Sequence, residues 1–294
     1  MTSVDLRPTD AGEADLERAL LAPPPRRSAW KSFLVEVVGP FIVFWIVIGV
    51  WYFISYRLLK PHRRFLMPPP HRVLDVAFLD GRNRSELLNG LWNSTKVAMV
   101  GLAIAIVLGM LFAIIMSQAK WIERSLFPYA VVLQTIPILA LVPLIGFWFD
   151  FNFRSRVIVC VLIAIFPIIN NTLFGLLSAD QGQHDLFTLH EASRFTRLWR
   201  LQLPAGMPAI FAGFRIAVPY AIGGAVIAEL ISSNRGLGYL VQTGAMNFDT
   251  TQVFVAILAA TLIVHAFIAV IDIGERFLLR WRPRGANLIV DHGT

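Results

Sequence analysis

Charge is what this sequence has least of. Only 15% of its 294 residues are Asp, Glu, Lys or Arg, whereas 56% are apolar and the mean hydropathy is +0.64. A soluble domain carries roughly 25% charged residues, so a water-soluble globule is excluded. Cysteine is almost as scarce. The single Cys160 lies inside an apolar run, which excludes both a disulfide framework and a cysteine metal site. No Gly-x-x-x-x-Gly-Lys-Ser/Thr phosphate loop occurs, so the chain carries no nucleotide chemistry of its own. The six histidines include no His-Glu-x-x-His, and no serine stands in a Gly-x-Ser-x-Gly elbow. That leaves an intramembrane enzyme without catalytic or metal-ligating residues. Residues 1–29 hold five acidic residues and then Pro23-Pro24-Pro25, with no apolar core and no small-residue cleavage site. They are expected to form a flexible tail rather than a cleavable signal.

What is present is a set of long charge-poor runs: Val37–Ser55, Val97–Met116, Leu126–Phe149, Val157–Leu177, Met207–Ile231 and Val253–Ile271. Each is long enough to cross a hydrocarbon layer of about 30 Å as a helix. Backbone amides cannot stay unpaired in lipid, and the runs show no period-2 alternation, so helices rather than a closed barrel are expected. The sequence therefore predicts an all-α polytopic membrane protein with six transmembrane helices. Its domain boundaries are a cytoplasmic tail over 1–36, a transmembrane domain over 37–282 and a C-terminal cytoplasmic tail over 283–294. The net charge of +7 comes with no basic stretch interleaved with aromatics. It fits Lys and Arg gathered at membrane edges against the lipid bilayer, not nucleic acid.

Lys and Arg counts orient the chain. With the N-terminus inside, the inner segments 117–125, 178–206 and 272–294 hold nine, against three in the outer loops 150–156 and 232–252. Both termini are therefore expected in the cytoplasm. The first crossing disagrees, with five positives in the head and eight in loop 56–96. Long loops cross whatever their charge, so the later loops decide.

Several crossings carry prolines, among them Pro128, Pro137 and Pro143 in the third. Proline removes a backbone donor and clashes with the preceding turn, so the third crossing is expected to be kinked and to line a pathway. In the fifth, Ala221 with Ala225 and Gly224 with Ala228 stand four apart, which permits close helix contact within the chain or between two copies. Ionisable groups in lipid are costly and mark functional suspects: here Arg215, Glu229 and His265. Arg215 and Glu229 are 14 residues apart, about 21 Å along a helix, so each needs a partner elsewhere. With Gln134, Pro137 and Asn171 they are the candidate pathway residues, and Asn170 is a weaker candidate of the same kind.

Loop 178–206 is the most informative segment. From Asp185 on, Leu186, Leu189, Ala192, Phe195, Leu198 and Trp199 recur at three- and four-residue spacing, with Arg194, Arg197 and Arg200 on another side. This is an amphipathic helical pattern, with Pro204 expected to set a break before the fifth crossing. Such a helix can dock in a groove on another protein or lie on lipid.

This loop resembles the cytoplasmic coupling loop of type I ABC importer permeases, whose pattern is Glu-Ala-Ala, three residues, Gly, nine residues, an aliphatic residue, one residue, Leu-Pro. Aligned on Leu203-Pro204, the aliphatic position is Leu201, the Gly position is Glu191, and the start falls on Asp185-Leu186-Phe187. An acid is kept at the start, while both alanines and the glycine are replaced. The size of Glu191 bears on how closely the helix approaches its ATPase. Further stretches resemble the branch of permeases for sulfonates, taurine, nitrate and pyrimidine-type vitamin precursors. They are Leu133-Gln134-Thr135-Ile136-Pro137 with Pro143-Leu144, Phe166-Pro167-Ile168-Ile169-Asn170-Asn171-Thr172, Gly213-Phe214-Arg215-Ile216-Ala217, and Ala228-Glu229-Leu230-Ile231 leading to Arg235-Gly236-Leu237-Gly238-Tyr239-Leu240.

The resemblance implies a permease subunit in the inner or plasma membrane. It works with a second permease copy, a cytoplasmic ABC ATPase dimer that binds the ATP, and an extracytoplasmic solute-binding protein; the chain itself holds no cofactor. It implies ATPase-coupling roles for Asp185, Leu189, Glu191, Ala192, Ser193, Arg194, Leu203 and Pro204, and a structural or gating role for Arg215 and Glu229. An ATPase-independent carrier or channel is the alternative, but no repeated span and no run of intramembrane acids supports it. For the solute, nitrate or sulfonate would reward a cationic route, in which Arg215 is the only basic residue within a span. A flat heterocycle would reward aromatic lining, and Ala217-Val218-Pro219-Tyr220-Ala221 is nearer the pyrimidine-type group.

Overall fold

The computed structural model describes residues 38–79 and 81–280; the tails 1–36 and 283–294 lie outside them. Helices account for the architecture, and no strand occurs among the described residues. Two compact units are present, divided after Leu58. The first holds helix α1 (Gly39–Phe53), which runs into a widened π-type turn at Ile54–Leu58. Its side chains are apolar on every face, as a helix solvated by lipid requires.

The second unit contains helices α2 (Pro70–Phe78), α3 (Gly81–Ser117), α4 (Lys120–Thr135), α5 (Ile138–Phe149), α6 (Phe153–Leu177), α7 (Gln181–Leu189), α8 (Arg194–Arg197), α9 (Leu203–Ser232), α10 (Leu237–Met246) and α11 (Thr250–Leu278). Among the described residues of both units, five helical stretches are long and apolar enough to cross a membrane, one of them Gly39–Leu58 of the first unit, or six if the bent pair α4–α5 counts as one crossing. Helices α3, α6 and α9 form the centre, with α10, α11 and α2 against one side and α4 and α5 against another.

Small residues set the approach of these helices. Ala221, Ala225 and Ala228 are all fully buried, so the small-residue stripe of the fifth crossing serves packing inside the chain. A side-chain carbon at Gly175 would stand 2.7 Å from the Gly206 carbonyl oxygen, so α6 and α9 meet backbone to backbone there. Cys160 lies between α3 and α9, its Sγ donating to the Ala221 carbonyl at 3.1 Å. In lipid, where apolar contact brings no reward over acyl chains, such interdigitation is the main source of cohesion.

The third apolar run departs from a simple kinked helix. It is two helices, α4 and α5, bent 94° at their junction. Pro128 and Pro143 sit inside continuous helix, and only Ile136-Pro137 breaks the chain. A residue before proline is pushed out of the helical region, and Ile136 takes ψ 127° with Pro137 at ψ 94°. The helix restarts as Ala140 N–H bonds the Pro137 carbonyl at 3.0 Å. Other crossings extend past their apolar runs. Helix α3 begins 16 residues before Val97, and the fifth crossing is continuous from Arg194 to Ile231.

Candidate functional site

Four groups of polar or exposed residues compete for function, and their geometry separates them. The first is the loop between α6 and α9. The apolar periodicity from Asp185 predicts one helix with a break at Pro204; the structure has two helices with the break at His190–Ser193. Asp180 caps α7, its Oδ1 accepting from Gly182 N–H at 2.7 Å. At the other end Glu191 N–H bonds Thr188 O and Ala192 N–H bonds Phe187 O, both at 3.0 Å. This pair of bonds is the Schellman stop, whose residue after the cap takes the left-handed conformation that glycine favours. Glu191 takes it, at φ 48°. The pattern's glycine position therefore falls on a residue whose backbone is left-handed here.

Beyond the stop, Ser193 caps α8 by accepting from Thr196 N–H at 3.2 Å, and Arg197 Nη2 donates to Thr188 Oγ1 at 3.0 Å. Residues Leu198–Gln202 form a π-type turn that leads without interruption into α9. Pro204 breaks nothing because it falls in the first turn of α9, where proline is tolerated. The π-type turn before it, with Leu203 N–H bonded to Leu198 O, joins α8 rigidly to α9. Asp185 is exposed and accepts from Gln181 Nε2 at 3.3 Å. Leu189 is 82% exposed, and Leu186, Phe195 and Trp199 are also exposed. An apolar ridge held by two caps and a brace is thus presented at one end of the bundle.

The second group surrounds the α4–α5 break. Gln134, Asn170, Asn171, Tyr220 and Phe166 line a cavity of about 320 Å³ with Leu133, Ile136, Ile138, Leu162, Ile163, Pro167 and Ile216. The structure thus brings together Gln134 and Asn171, with Pro137 at the bend between Ile136 and Ile138. It does not bring Arg215 or Glu229 to this cavity.

Arg215 belongs to a third group. Its Nε lies 2.6 Å from Asp272 Oδ1, and its other arm pairs with Glu275, tying α9 to α11. Both acids stand just past the last apolar run. His265 bonds the Thr261 carbonyl of its own helix at 2.9 Å.

Glu229 anchors the fourth group and is fully buried. Its Oε2 accepts from Ser94 Oγ at 2.6 Å and from Gly238 N–H at 3.1 Å, and Leu237 N–H donates to Ser94 Oγ at 2.8 Å. Helix α10 starts after Gly236, at φ 113°, where no side chain is available as a cap. Ser94 from α3 and Glu229 from α9 supply the cap instead, satisfying N–H groups that a helix start leaves open. A carboxyl there is also favoured by the helix dipole. Arg156 Nη1 sits 4.0 Å from Glu229 Oε1 and donates to Ser233 Oγ at 3.1 Å. A side-chain carbon on Gly236 would collide with the Glu229 carboxyl, and one on Gly238 would stand 2.8 Å from Glu229 Cβ. Sequence reasoning found Glu229 and missed Ser94, Arg156 and Ser233. The only available signal was the Gly236-x-Gly238 pair seven residues on, which marks a close backbone approach.

A helical bundle with several apolar crossings, one of them broken beside a cavity lined by amides and apolar side chains, is the architecture of a multi-pass membrane protein. The comparisons make this specific. Residues 105–282 match the family described as binding-protein-dependent transport system inner membrane component. A formylaminopyrimidine transport permease protein of Halalkalibacterium halodurans is 32% identical over 249 residues, 85% of this chain and 98% of that protein. A riboflavin transport system permease protein of Chloroflexus aurantiacus is 30% identical, covering 87% and 95%, and a taurine transport system permease protein of Escherichia coli is 30% identical, covering 80% and 85%. Among solved structures, an inward-facing MetNI methionine ABC transporter superposes with TM-score 0.60 at 14% identity, over 68% of this chain and 99% of that one. The chain belongs to the binding-protein-dependent transport system inner membrane component family and is an ABC transporter permease.

Proposed function

We propose that this permease forms the solute pathway of an ATP-driven importer and takes its energy from a separate cytoplasmic ATPase dimer through the 181–202 segment. The observation that carries this reading is the ridge of Leu186, Leu189, Phe195 and Trp199, exposed and held by fixed caps, whose Phe195 and Trp199 half is continuous with α9 and whose α7 half is braced to it by Arg197 and Thr188. A rigid apolar ridge suits the groove of a partner. Because the π-type turn has no break before α9, movement of the ridge would be transmitted to the bundle and shift it between inward- and outward-facing states. Asp185, Glu191, Ala192, Ser193 and Arg194 belong to this contact, with Leu203 and Pro204 as its junction to α9. The Lys and Arg distribution supports placing this end, and both termini, in the cytoplasm.

A second copy of the chain and an external solute-binding protein complete the assembly. The solute is small and polar, drawn from the pyrimidine-precursor, sulfonate, taurine and nitrate classes carried by similar permeases. Purification of the full chain from native membranes tests the reading. An ATP-hydrolysing subunit is expected to travel with it, and Leu189→Asp should release that subunit while the permease still inserts. Solute uptake by the chain in vesicles with no ATPase would overturn the reading in favour of a self-sufficient carrier.

A further inference from the structure

We infer that segment 59–79 is a binding site for the headgroup of an anionic phospholipid, in the leaflet opposite the ATPase. The choice of leaflet rests on the importer reading above; the site stands on its own geometry. The segment holds four Lys or Arg residues and one acid, Asp75. It lies in the loop whose charge disagrees with the bias of the later loops. Cations are ordinarily held on the cytoplasmic side, so a cluster on the far side calls for an anionic counterpart.

The packing fixes the height of this segment. Its first part is a 3₁₀ turn, Pro61–Leu66, whose Phe65 carbonyl accepts from the hydroxyl of Thr250, the first residue of α11. Thr250 precedes the apolar run at Val253 by three residues, about 4.5 Å of helix. Helix α2 follows, with Val73 and Ala77 buried. Its Val76 shares a small cavity with Gln252 and Val255 of α11 and Leu87 of α3. Both elements therefore sit level with the edge of the hydrocarbon layer, where lipid phosphates lie. This is the end of the bundle opposite the 181–202 ridge, since α9 leads from that ridge to α10 and the start of α11.

What the bundle leaves uncovered there is both apolar and basic. Phe65, Leu66, Leu74, Phe78 and Leu79 are exposed, the last at 79%. Lys60, Arg63 and Arg72 are exposed too, and none of the three pairs with an acid among the described residues. Residues three apart eclipse in a 3₁₀ helix, so Arg63 stands over Leu66 and His62 over Phe65. On α2, Leu74 and Phe78 stand one turn apart on the same face. Cations beside apolar side chains mark a segment lying in the headgroup layer, where long basic stems rest on acyl chains and their heads reach the phosphates. In open water five such apolar side chains would form a costly patch. At this height acyl chains cover them and an anionic headgroup supplies the counter-charge. Arg63 and Arg72 can each meet a phosphate with two parallel N–H donors, and Lys60 adds a point charge.

The test places one fluorophore on the full chain in lipid nanodiscs. Cys160 is the only cysteine and is buried, so Leu79→Cys gives a single reactive site at the end of α2. The phosphatidylcholine bilayer receives a small fraction of spin-labelled phosphatidylglycerol or spin-labelled phosphatidylcholine, and quenching by the two is compared. Phosphatidylglycerol is expected to bind about fivefold more tightly or better, the worth of one Lys or Arg at an anionic surface. In about 1 M salt the preference should vanish. Lys60→Gln/Arg63→Gln should cut it about fivefold, while the charge-keeping Lys60→Arg/Arg63→Lys retains it. Both side chains are exposed, so folding is retained, and monodisperse elution checks it. Equal quenching by the two lipids, or a preference unchanged in Lys60→Gln/Arg63→Gln, would overturn the inference. Quenching by neither would also overturn it, because the segment would then stand clear of the bilayer, as a docking face for the solute-binding protein would. Co-purification of the ATPase is scored on the same preparation. Its absence sinks the importer reading and with it the leaflet, while the quenching alone decides the headgroup site.

Discussion

The polar regions around Glu229 and around the α4–α5 break both lie within the crossings of this chain, and they differ in nearly every physical respect. Around Glu229 the carboxyl is fully buried, bonded to Ser94 and Gly238, and approached by Arg156. Around the α4–α5 break, Gln134, Asn170 and Tyr220 are exposed to a cavity and bond no described side chain. Residue type alone would rank Glu229 as the stronger functional suspect, since an acid in lipid costs more than an amide. Pairing reverses that order. A polar group whose partners come from three helices of its own chain is holding those helices together. One left unpaired at membrane depth is available to something else.

The sharpest way to break this contrast is to remove the Glu229 carboxyl. Glu229→Ala leaves Ser94 and the Gly238 N–H at the start of α10 without their shared acceptor, and Arg156 without its counter-charge. A buried pair stripped of one partner loses about 3–5 kcal/mol, so thermal unfolding of the purified chain should fall steeply or the protein should fail to accumulate. Ser94→Ala removes the hydroxyl that both donates to Glu229 and accepts from Leu237 N–H, for an expected loss of about 2 kcal/mol. If either variant folds normally and loses only uptake, Glu229 belongs to the pathway and the contrast fails. The opposite result is expected across the molecule. Gln134→Ala and Asn170→Ala should change unfolding by less than about 0.5 kcal/mol, as surface substitutions do, while slowing uptake in the assembled importer.

This division was only half legible in the sequence. The crossings could be read because each apolar run is longer than a soluble core needs, and the runs at Val97, Val157, Met207 and Val253 all lie inside continuous helices. The kink in the third run was expected, but not its confinement to Pro137. Choosing among three prolines depends on which freed carbonyl the surroundings can satisfy, a tertiary fact. For Arg215 and Glu229 the sequence required partners and could not name them. Asp272 and Glu275 stand 57 and 60 residues from Arg215, and Ser94 stands 135 from Glu229. Gln134 and Asn171 both stood among the pathway candidates, yet their meeting in one cavity follows from the 94° bend, which no periodicity encodes.

The 181–202 segment sharpens the comparison at the smallest scale, because there a glutamate holds the backbone conformation that glycine, the residue of the pattern it resembles, favours. Glu191 holds φ 48°, a conformation that costs an L-residue about 1–2 kcal/mol and glycine almost nothing. The Schellman bonds from Glu191 and Ala192 persist against that cost, so the turn is imposed by its neighbours: the Ser193 cap and the Arg197–Thr188 brace. Glu191→Gly should therefore tighten the stop, raising amide protection at Glu191 and Ala192 severalfold in hydrogen exchange, with uptake retained. Glu191→Val, whose branched side chain tolerates positive φ worst, should lower protection there and weaken the proposed ATPase contact, read as co-purification, without moving the unfolding of the helical bundle. A gain on Glu191→Val equal to that of Glu191→Gly would mean that side-chain charge, and not backbone conformation, governs this position.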